Sequence, residues 1–389
     1  MSTLETFAHE QLKEIRSRKL YRELRTVQSA TGVELRSENS PLISFASNDY
    51  LGLANHPKVK AAAQQAIDQF GVGAGASRLI TGTQFPHQRL EEQLADFKGT
   101  EAALAFNTGY QTAIGTITSI LKRGDVVFSD ELNHACLIDG IRLSRAEVKI
   151  FKHNDLDHLE SLLKESANNA NHHNRLIVTE SVFSMDGDLA PLPQLVELKQ
   201  RFETWLMIDE AHATGLFGQK RSGRAEESGL TEEIDIHMGT LGKALGSAGG
   251  YICGSRSLRD LLINRARSFI FSTAPTPATA AAARAAIEVV QSSEGEERST
   301  TLRQRIDELT AALPHRSPSV SPIIPYLVGD AAKSVEVSLA LKDQGLLVPA
   351  IRYPTVPLGT ARLRIALSAQ HTSAHIQHLA HALNRLEHS

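Results

Sequence analysis

Apolar residues recur at helical spacing near the start of the chain. Leu4, Phe7, Leu12, Ile15, Leu20 and Leu24 sit among charges and predict an amphipathic helix over Leu4–Leu24. Gly32–Leu35 and Leu42–Phe45 then read as the arms of a short hairpin. From about residue 46 to residue 290 the rhythm changes. Short apolar runs read as strands: Ala102–Phe106, Val126–Ser129, Glu147–Phe151, Leu176–Thr179, Trp205–Ile208 and Gly250–Cys253. Helical stretches such as Gln111–Leu121, Leu156–Glu165 and Leu192–Phe202 lie between them. Continuous apolar strands alternating with helices predict a mainly parallel sheet covered on both faces.

Around Ser292–Ser299 the chain turns polar and acidic and reads as a junction. Beyond it come a helix, an alternating strand over Ile323–Val328, another helix, a proline-containing loop over Val348–Pro357, a strand over Ala361–Leu367 and a last helix. The expected organisation is a helix-and-hairpin segment (1–45), a large α/β domain (46–290) and a small α+β domain (291–389). A chain of 389 residues exceeds one ordinary core, in keeping with that division.

Composition removes whole classes of function. With 41% hydrophobic and 22% charged residues the chain is globular. A net charge of -3 gives no electrostatic case for nucleic acid or an acidic membrane. Cys136 and Cys253 form no CxxC pair, which argues against a disulfide framework or a cysteine metal site and suits a reducing compartment. The first residues carry acids and a histidine but no apolar stretch, so a signal peptide is not expected. Nothing approaches the ~18 apolar residues of a membrane span. A cytoplasmic globular protein is expected.

Chemistry enters at Trp205–His212, where an apolar strand ends in Asp209-Glu210-Ala211-His212. In an open α/β sheet ligands sit at the carboxyl ends of strands, and an acid there can hold a positive ring nitrogen or a metal. The same tetrapeptide occurs in helicases, but those require a phosphate loop of the form GxxxxGK[ST]. The only Gly-Lys pair, Gly242-Lys243, is followed by Ala244 and has His237 where the first glycine belongs. Lys243 lies among small residues, so its amine can face a ligand, and desolvation makes such an amine a Schiff-base nucleophile. Thr240 stands three residues earlier, placed to offer a hydroxyl to a phosphate. The plainer alternative for Lys243 is an exposed loop lysine. Asn107-Thr108-Gly109-Tyr110 joins a strand to a helix, where free N–H groups make a phosphate cradle. Its plainer alternative is a turn with a threonine cap. Gly71–Gly75 lacks the strand and last glycine of a dinucleotide fingerprint. Together, a lysine for an aldehyde, an acid for a pyridine nitrogen and a phosphate cradle describe pyridoxal 5′-phosphate (PLP).

Over nearly its whole length the sequence also resembles the α-oxoamine synthases. The resemblance rests on Leu20–Arg22, Ser47–Leu53, Gly75–Arg78 with Thr81–Thr83, Asn133–Ala135, Thr179–Asp188, Asp209–His212, Thr240–Lys243, Phe271–Pro275 and Ile351–Pro357. It implies an aspartate-aminotransferase-like, fold-type I PLP transferase. Lys243 would hold PLP and later act as the base at Cα, Asp209 would pair with the pyridinium, and His212 would bond the ring hydroxyl. His134 would stack on the ring and donate towards substrate. Gly109, Tyr110 and Thr240 would hold the phosphate, and Ser184 would touch the cofactor. Arg352 would clamp the amino-acid carboxylate with Thr355 nearby, while Arg22 and Asn48 would contact the acyl substrate. Ser272 and Thr273 would reach the neighbouring subunit's phosphate, because these enzymes are homodimers.

For the member serving biotin biosynthesis, the substrates implied are L-alanine and pimeloyl-CoA or pimeloyl-ACP. Arg352, Phe271–Pro275 and Thr360–Arg364 resemble that member. Tyr353 stands where it commonly has proline and resembles the glycine-using members, 5-aminolevulinate synthase and glycine C-acetyltransferase, so both substrate pairs stay open. An aminotransferase would use the same lysine and acid but need no thioester. Plainer roles exist elsewhere too: His134 as a helix cap, Ser184 as a turn residue, Arg22 as a solvated arginine. His371, His375, His378 and His381 have helical spacing without an acid or cysteine partner and read as a solvated face rather than a metal site.

Overall fold

The computed structural model describes residues 2–18, 20–37, 40–170, 172–313 and 319–387. Met1 and Ser389, the outer bounds of the terminal segments expected above, lie outside the described residues. The first helix, Thr3–Ser17, is capped by Ser2, whose hydroxyl accepts from Glu5 N–H at 3.2 Å. It stops well short of Leu24. None of its residues is buried, so no packing rewards further turns, and Leu20–Leu24 continues as irregular chain.

The expected hairpin forms from β1 (Glu34–Arg36) and β2 (Pro41–Ser44), antiparallel with Glu34 opposite Ile43. A seven-stranded sheet follows: β3 (Ala102–Phe106), β4 (Val126–Asp130), β5 (Glu147–Phe151), β6 (Arg175–Glu180), β7 (Trp205–Asp209), β8 (Ile236–Thr240) and β9 (Gly250–Gly254). Its order is β3-β9-β8-β7-β6-β4-β5, with β9 antiparallel to both neighbours and the pairs from β8 to β5 parallel. Alternate side chains of the inner strands feed two cores, whereas the edge strand β5 is exposed along most of its length and buries only Phe151. Val178 and Met207 pack with Ile117, Leu137 and Phe269 on one face. Ile177, Leu206 and Ile208 pack with Leu159, Leu163 and Leu195 on the other. Burial on both faces is why these strands read as unbroken apolar runs.

Helix Pro277–Gln291 runs into helix Ser293–Ala312 with only Ser292 extended between them. The polar stretch expected to be a junction is therefore mostly helix; Glu294 and Glu296 suit the positive end of its dipole. The last part of the chain supplies β10 (Ile323–Gly329), β11 (Leu346–Leu347), β12 (Ala350–Ile351) and β13 (Ala361–Ala366). Strands β10, β13 and β12 form an antiparallel sheet, whereas β11 pairs parallel with β2. The two ends of the chain thus share a sheet. His371 departs from the solvated face expected of it. It precedes helix Ser373–Glu387, is 3% exposed, stacks on Phe45 at 4.4 Å and contacts Ser44 O at 3.1 Å through Nε2. Burial lowers its pKa to about 4. His378 and His381 are exposed. Among the described residues no helix is long and apolar enough to cross a membrane.

Candidate active site

The carboxyl ends of β6, β7 and β8 open on one side of the sheet, and each delivers a polar side chain there. Glu180 pairs in register with Asp209, so two buried acids stand side by side. Asp209 Oδ1 accepts from Ala211 N–H at 2.9 Å. Burial raises its pKa, against the opposing charge of Lys243. Glu180 is pushed up to about 8 by burial and by the charge of Asp209. Its Oε2 accepts from Ser184 N–H at 3.1 Å, while Oε1 is buried without a hydrogen-bond partner.

Lys243 sits on the tight turn after β8, closed by Gly246 N–H to Lys243 O at 2.8 Å and Ser247 N–H to Leu241 O at 2.9 Å. Gly246 has φ +61°, and a Cβ there would run into the backbone of Leu53 and Ala54, so the turn requires glycine. The half-buried amine of Lys243 lies 2.6 Å from His212 Nε2. Burial lowers its pKa to about 8, with Asp209 and Glu180 opposing and Arg364 assisting. His212 is itself buried and its pKa falls well below the ordinary value, first through desolvation and then through Lys243.

Helix Gly109–Ile120 starts directly after β3, capped by Thr108, whose hydroxyl accepts from Gln111 N–H at 3.1 Å. The first-turn amides of Gly109 and Tyr110 have no intrahelical acceptor, as at any helix start. A Cβ on Gly109 would lie 3.8 Å from Thr240 Cβ, and one on Gly250 would lie 2.7 Å from Gly109 Cα. The first distance is ordinary contact; the second would be a clash, so glycine at position 250 lets the helix start close against the beginning of β9. Thr240 Oγ1 donates to Gly249 O at 2.9 Å and accepts from Gly242 N–H at 3.2 Å. Tyr110 is exposed and its hydroxyl donates to Asp139 at 2.5 Å.

His134 caps a helix, and the charges of Asp209 and Lys243 reach it. Its Nδ1 accepts from Cys136 N–H at 3.2 Å at the start of helix Ala135–Ser144, which leaves the proton to Nε2. Desolvation lowers its pKa, and the charges of Asp209 and Lys243 act on it in opposite directions. Ser184 is buried, and its carbonyl accepts from Arg364 Nε at 2.6 Å. Arg364 also donates to Asn48 Oδ1 at 3.1 Å and to Tyr50 Oη at 3.4 Å, and Tyr50 Oη lies 2.7 Å from His212 Nδ1. Asn48, Ser184, His212 and Lys243 are therefore one connected group.

Arg22, Arg352 and Thr355 come together elsewhere, lining a cavity of about 210 Å³ with Leu20, Ala350, Ile351 and Tyr353. Ile351 pairs with Arg362, so Arg352 leaves the strand next to the one carrying Arg364. Ser272 and Thr273 lie against Asn107 of the same chain, whose Nδ2 donates to Ser272 Oγ and Thr273 O, each at 2.8 Å.

Tyr50, Glu180 and Arg364 had no role assigned from sequence. Arg364 carried a signal: β13 is buried along its whole length yet alternates Arg362 and Arg364 with Leu and Ile. Buried cations need partners, and Arg362 finds Asp186. Glu210 forms a second such pair with Lys98 at 2.5 Å, both side chains 1% exposed. Burial opposes charge on both, but the pairing wins: Lys98 is raised and Glu210 falls to about 2.

The group fits PLP on its own chemistry. A lysine amine poised to lose its proton, a buried carboxylate and a glycine-lined helix start match the cofactor's aldehyde, pyridine nitrogen and phosphate. The sequence profile of the aminotransferase class I and II family matches residues 40–383. The 8-amino-7-oxononanoate synthase of Geobacter sulfurreducens is 47% identical over 384 residues, 97% of this chain and 96% of that protein. That of Chromobacterium violaceum is 47% identical over 363 residues, 92% of this chain and 93% of that one. Among solved structures, a serine palmitoyltransferase of S. paucimobilis with bound PLP superposes with a TM-score of 0.92 at 28% identity, covering 99% of this chain and 98% of that one. An 8-amino-7-oxononanoate synthase of Francisella tularensis does so with 0.76 at 26% identity, covering 89% and 98%.

Proposed function

The chain belongs to the aminotransferase class I and II family and, within it, to the 8-amino-7-oxononanoate synthases, and from that premise we propose how its own residues divide the work. It is a PLP-dependent acyltransferase of biotin biosynthesis. The reaction joins L-alanine to a pimeloyl thioester and gives 8-amino-7-oxononanoate, CO2 and the free thiol carrier. When bound, PLP withdraws electrons from the substrate Cα.

Lys243 Nζ is the attachment point and then the base that takes the Cα proton; an amine with a pKa near 8 serves both uses at neutral pH. Asp209 would hold the cofactor's ring nitrogen and His212 its ring hydroxyl. The amides of Gly109 and Tyr110, with Thr240, hold the phosphate. His134 would cover the ring face and offer its Nε2–H to the substrate. Arg364, enclosed and joined through Tyr50 and His212 to Lys243, adds a cation for the alanine carboxylate alongside Arg352 and Thr355. A fixed guanidinium orients the Cα–H bond for abstraction, and positioning of this kind contributes several kcal/mol. Arg22 and Asn48 meet the acyl substrate. CoA and acyl-carrier protein both remain as carriers, and the enzyme works as a homodimer in the cytoplasm, Ser272 and Thr273 reaching the neighbouring phosphate.

The observation that carries this reading is Lys243 Nζ lying 2.6 Å from His212 Nε2 beside buried Asp209. It is tested by adding L-alanine and then pimeloyl-CoA to the PLP-loaded protein while following absorbance, CO2 and free CoA. Thioester-dependent CoA release with alanine is expected, and Lys243→Ala should abolish both turnover and the yellow band. Turnover in that variant would sink the assignment. Glycine preferred over alanine would move the chain to the reading that Tyr353 favours.

A further inference from the structure

His212 is held between two groups that cannot both be served by the same nitrogen chemistry. Tyr50 Oη lies 2.7 Å from Nδ1 and Lys243 Nζ lies 2.6 Å from Nε2. A neutral imidazole carries one N–H, so it donates in one contact and accepts in the other. Burial and the charges of Lys243, Arg364 and His134 disfavour the doubly protonated ring. The outcome depends on where Tyr50 sends its single hydroxyl proton.

Tyr50 is 0% exposed, and its oxygen already receives Arg364 Nη2 at 3.4 Å. Two acceptors are within reach of its proton: Asn48 Oδ1 at 3.1 Å and His212 Nδ1 at 2.7 Å. Asn48 Oδ1 already accepts from Arg364 Nη1 at 3.1 Å. The imidazole nitrogen is the nearer acceptor, and it is the one the guanidinium does not serve. We propose that Tyr50 is a positioning residue that donates to Nδ1 of His212, fixing the N–H on Nε2 and so turning His212 into a donor at the Lys243 amine.

The inference rests on the assignment of Lys243 and His212 above and adds a cause to it. An Nε2–H can hydrogen-bond a neutral amine but repels an ammonium, so Tyr50 favours the form of Lys243 that attacks an aldehyde. Without the hydroxyl, the proton moves freely to Nδ1, and Nε2 becomes an acceptor that stabilises the ammonium. The other groups acting on Lys243 are Asp209 and Glu180 at the ends of β7 and β6, Arg364 on β13, and Cys136 and His134 at the start of helix Ala135–Ser144. Of these only Arg364 touches the Tyr50 hydroxyl, and its bonds to Ser184 O and Asn48 Oδ1 do not depend on Tyr50.

The test uses apo-protein reloaded with PLP across a pH series, attachment at Lys243 being read by absorbance and by borohydride trapping. The midpoint in the parent protein should lie near pH 8. In Tyr50→Phe it should rise by about one unit, about tenfold less free amine below the midpoint. A purely structural role would weaken PLP uptake at every pH and leave the midpoint where it was, which would overturn the proposal. Should Tyr50→Phe fail to fold, the unaltered protein decides. In apo-protein carrying 15N-labelled histidine, the ring signal lost in His212→Gln should report a proton on Nε2; a proton on Nδ1 would overturn the proposal. No PLP uptake by the parent protein would instead overturn the cofactor reading of Lys243, while the ring signal still judged Tyr50.

Discussion

Glu180 keeps a proton at neutral pH because of where it stands. Its folded pKa near 8 lies far above the ordinary 4.5, chiefly through burial and then through Asp209. Between those values the folded chain holds a proton that the unfolded chain releases. The stability tied to Glu180 is therefore complete below pH 4.5 and is lost as pH rises through 8. Glu180→Gln cannot ionise, so it should gain on the parent protein steadily across that window. The gain should reach several kcal/mol, at about 1.4 kcal/mol for each unit by which the two pKa values are separated. Urea midpoints of the apo-protein at about pH 5, 7 and 9 would check this, and an equal difference at all three would contradict it. At this scale the sequence was legible wherever a residue type has few reasons to occupy its place. Lys243 among glycines and Asp209 at a strand end are of that kind. Tyr50 and Glu180 were not, because a tyrosine or glutamate beside apolar neighbours does not declare what its oxygen faces across the fold.

The strand β7 and the turn after it carry Asp209 and His212, and one buried ion pair pins that turn from behind. Lys98 reaches Glu210 at 2.5 Å and Ser222 O at 2.6 Å, and Glu210 Oε1 accepts from Ala225 N–H at 2.9 Å. Removing one partner strands the other charge in the interior. Lys98→Met should cost about 3–5 kcal/mol, and Lys98→Met with Glu210→Leu should cost clearly less than that single change. Denaturant unfolding of the single and double variants measures the coupling; additive losses would mean the pair does not act as a unit. Most strands that were read correctly are apolar on both faces, β5 being the exception, exposed along most of its length. Strand β8 escaped notice because His237 and Gly239 interrupt it, His237 finding Thr231 O at 3.0 Å. The start of helix Ser293–Ala312 was misjudged because only Gly295, Leu302, Ile306 and Leu309 are buried, too sparse a stripe to mark a helix.

Among the described residues, several large apolar side chains stand open to solvent. Val72 is 77% exposed, Ile80 76% and Phe271 70%, the last immediately before Ser272 and Thr273. The homodimer proposed above would cover this region and account for them. Phe271→Asp should shift the sedimenting species towards monomer and weaken PLP retention together. A dimer that persists with full PLP retention would remove this region from the interface. At this scale local pattern reached the layers and the parallel sheet, but it could not foretell long-range pairing. Nothing in Leu42–Ser44 announces that its parallel partner is Leu346–Leu347.

That pairing sets an order of events during synthesis. The hairpin β1–β2 leaves the ribosome early, yet its third strand follows only after roughly 300 further residues, about 15–60 s at typical translation rates. Arg364, which grips Asn48 and Tyr50, arrives later still. The growing chain must therefore carry Leu42 and Phe45, both buried at the end, without their final cover for most of translation. A premature stop anywhere before Arg364 leaves Tyr50 without its guanidinium, so messages truncated late should be as silent as those truncated early.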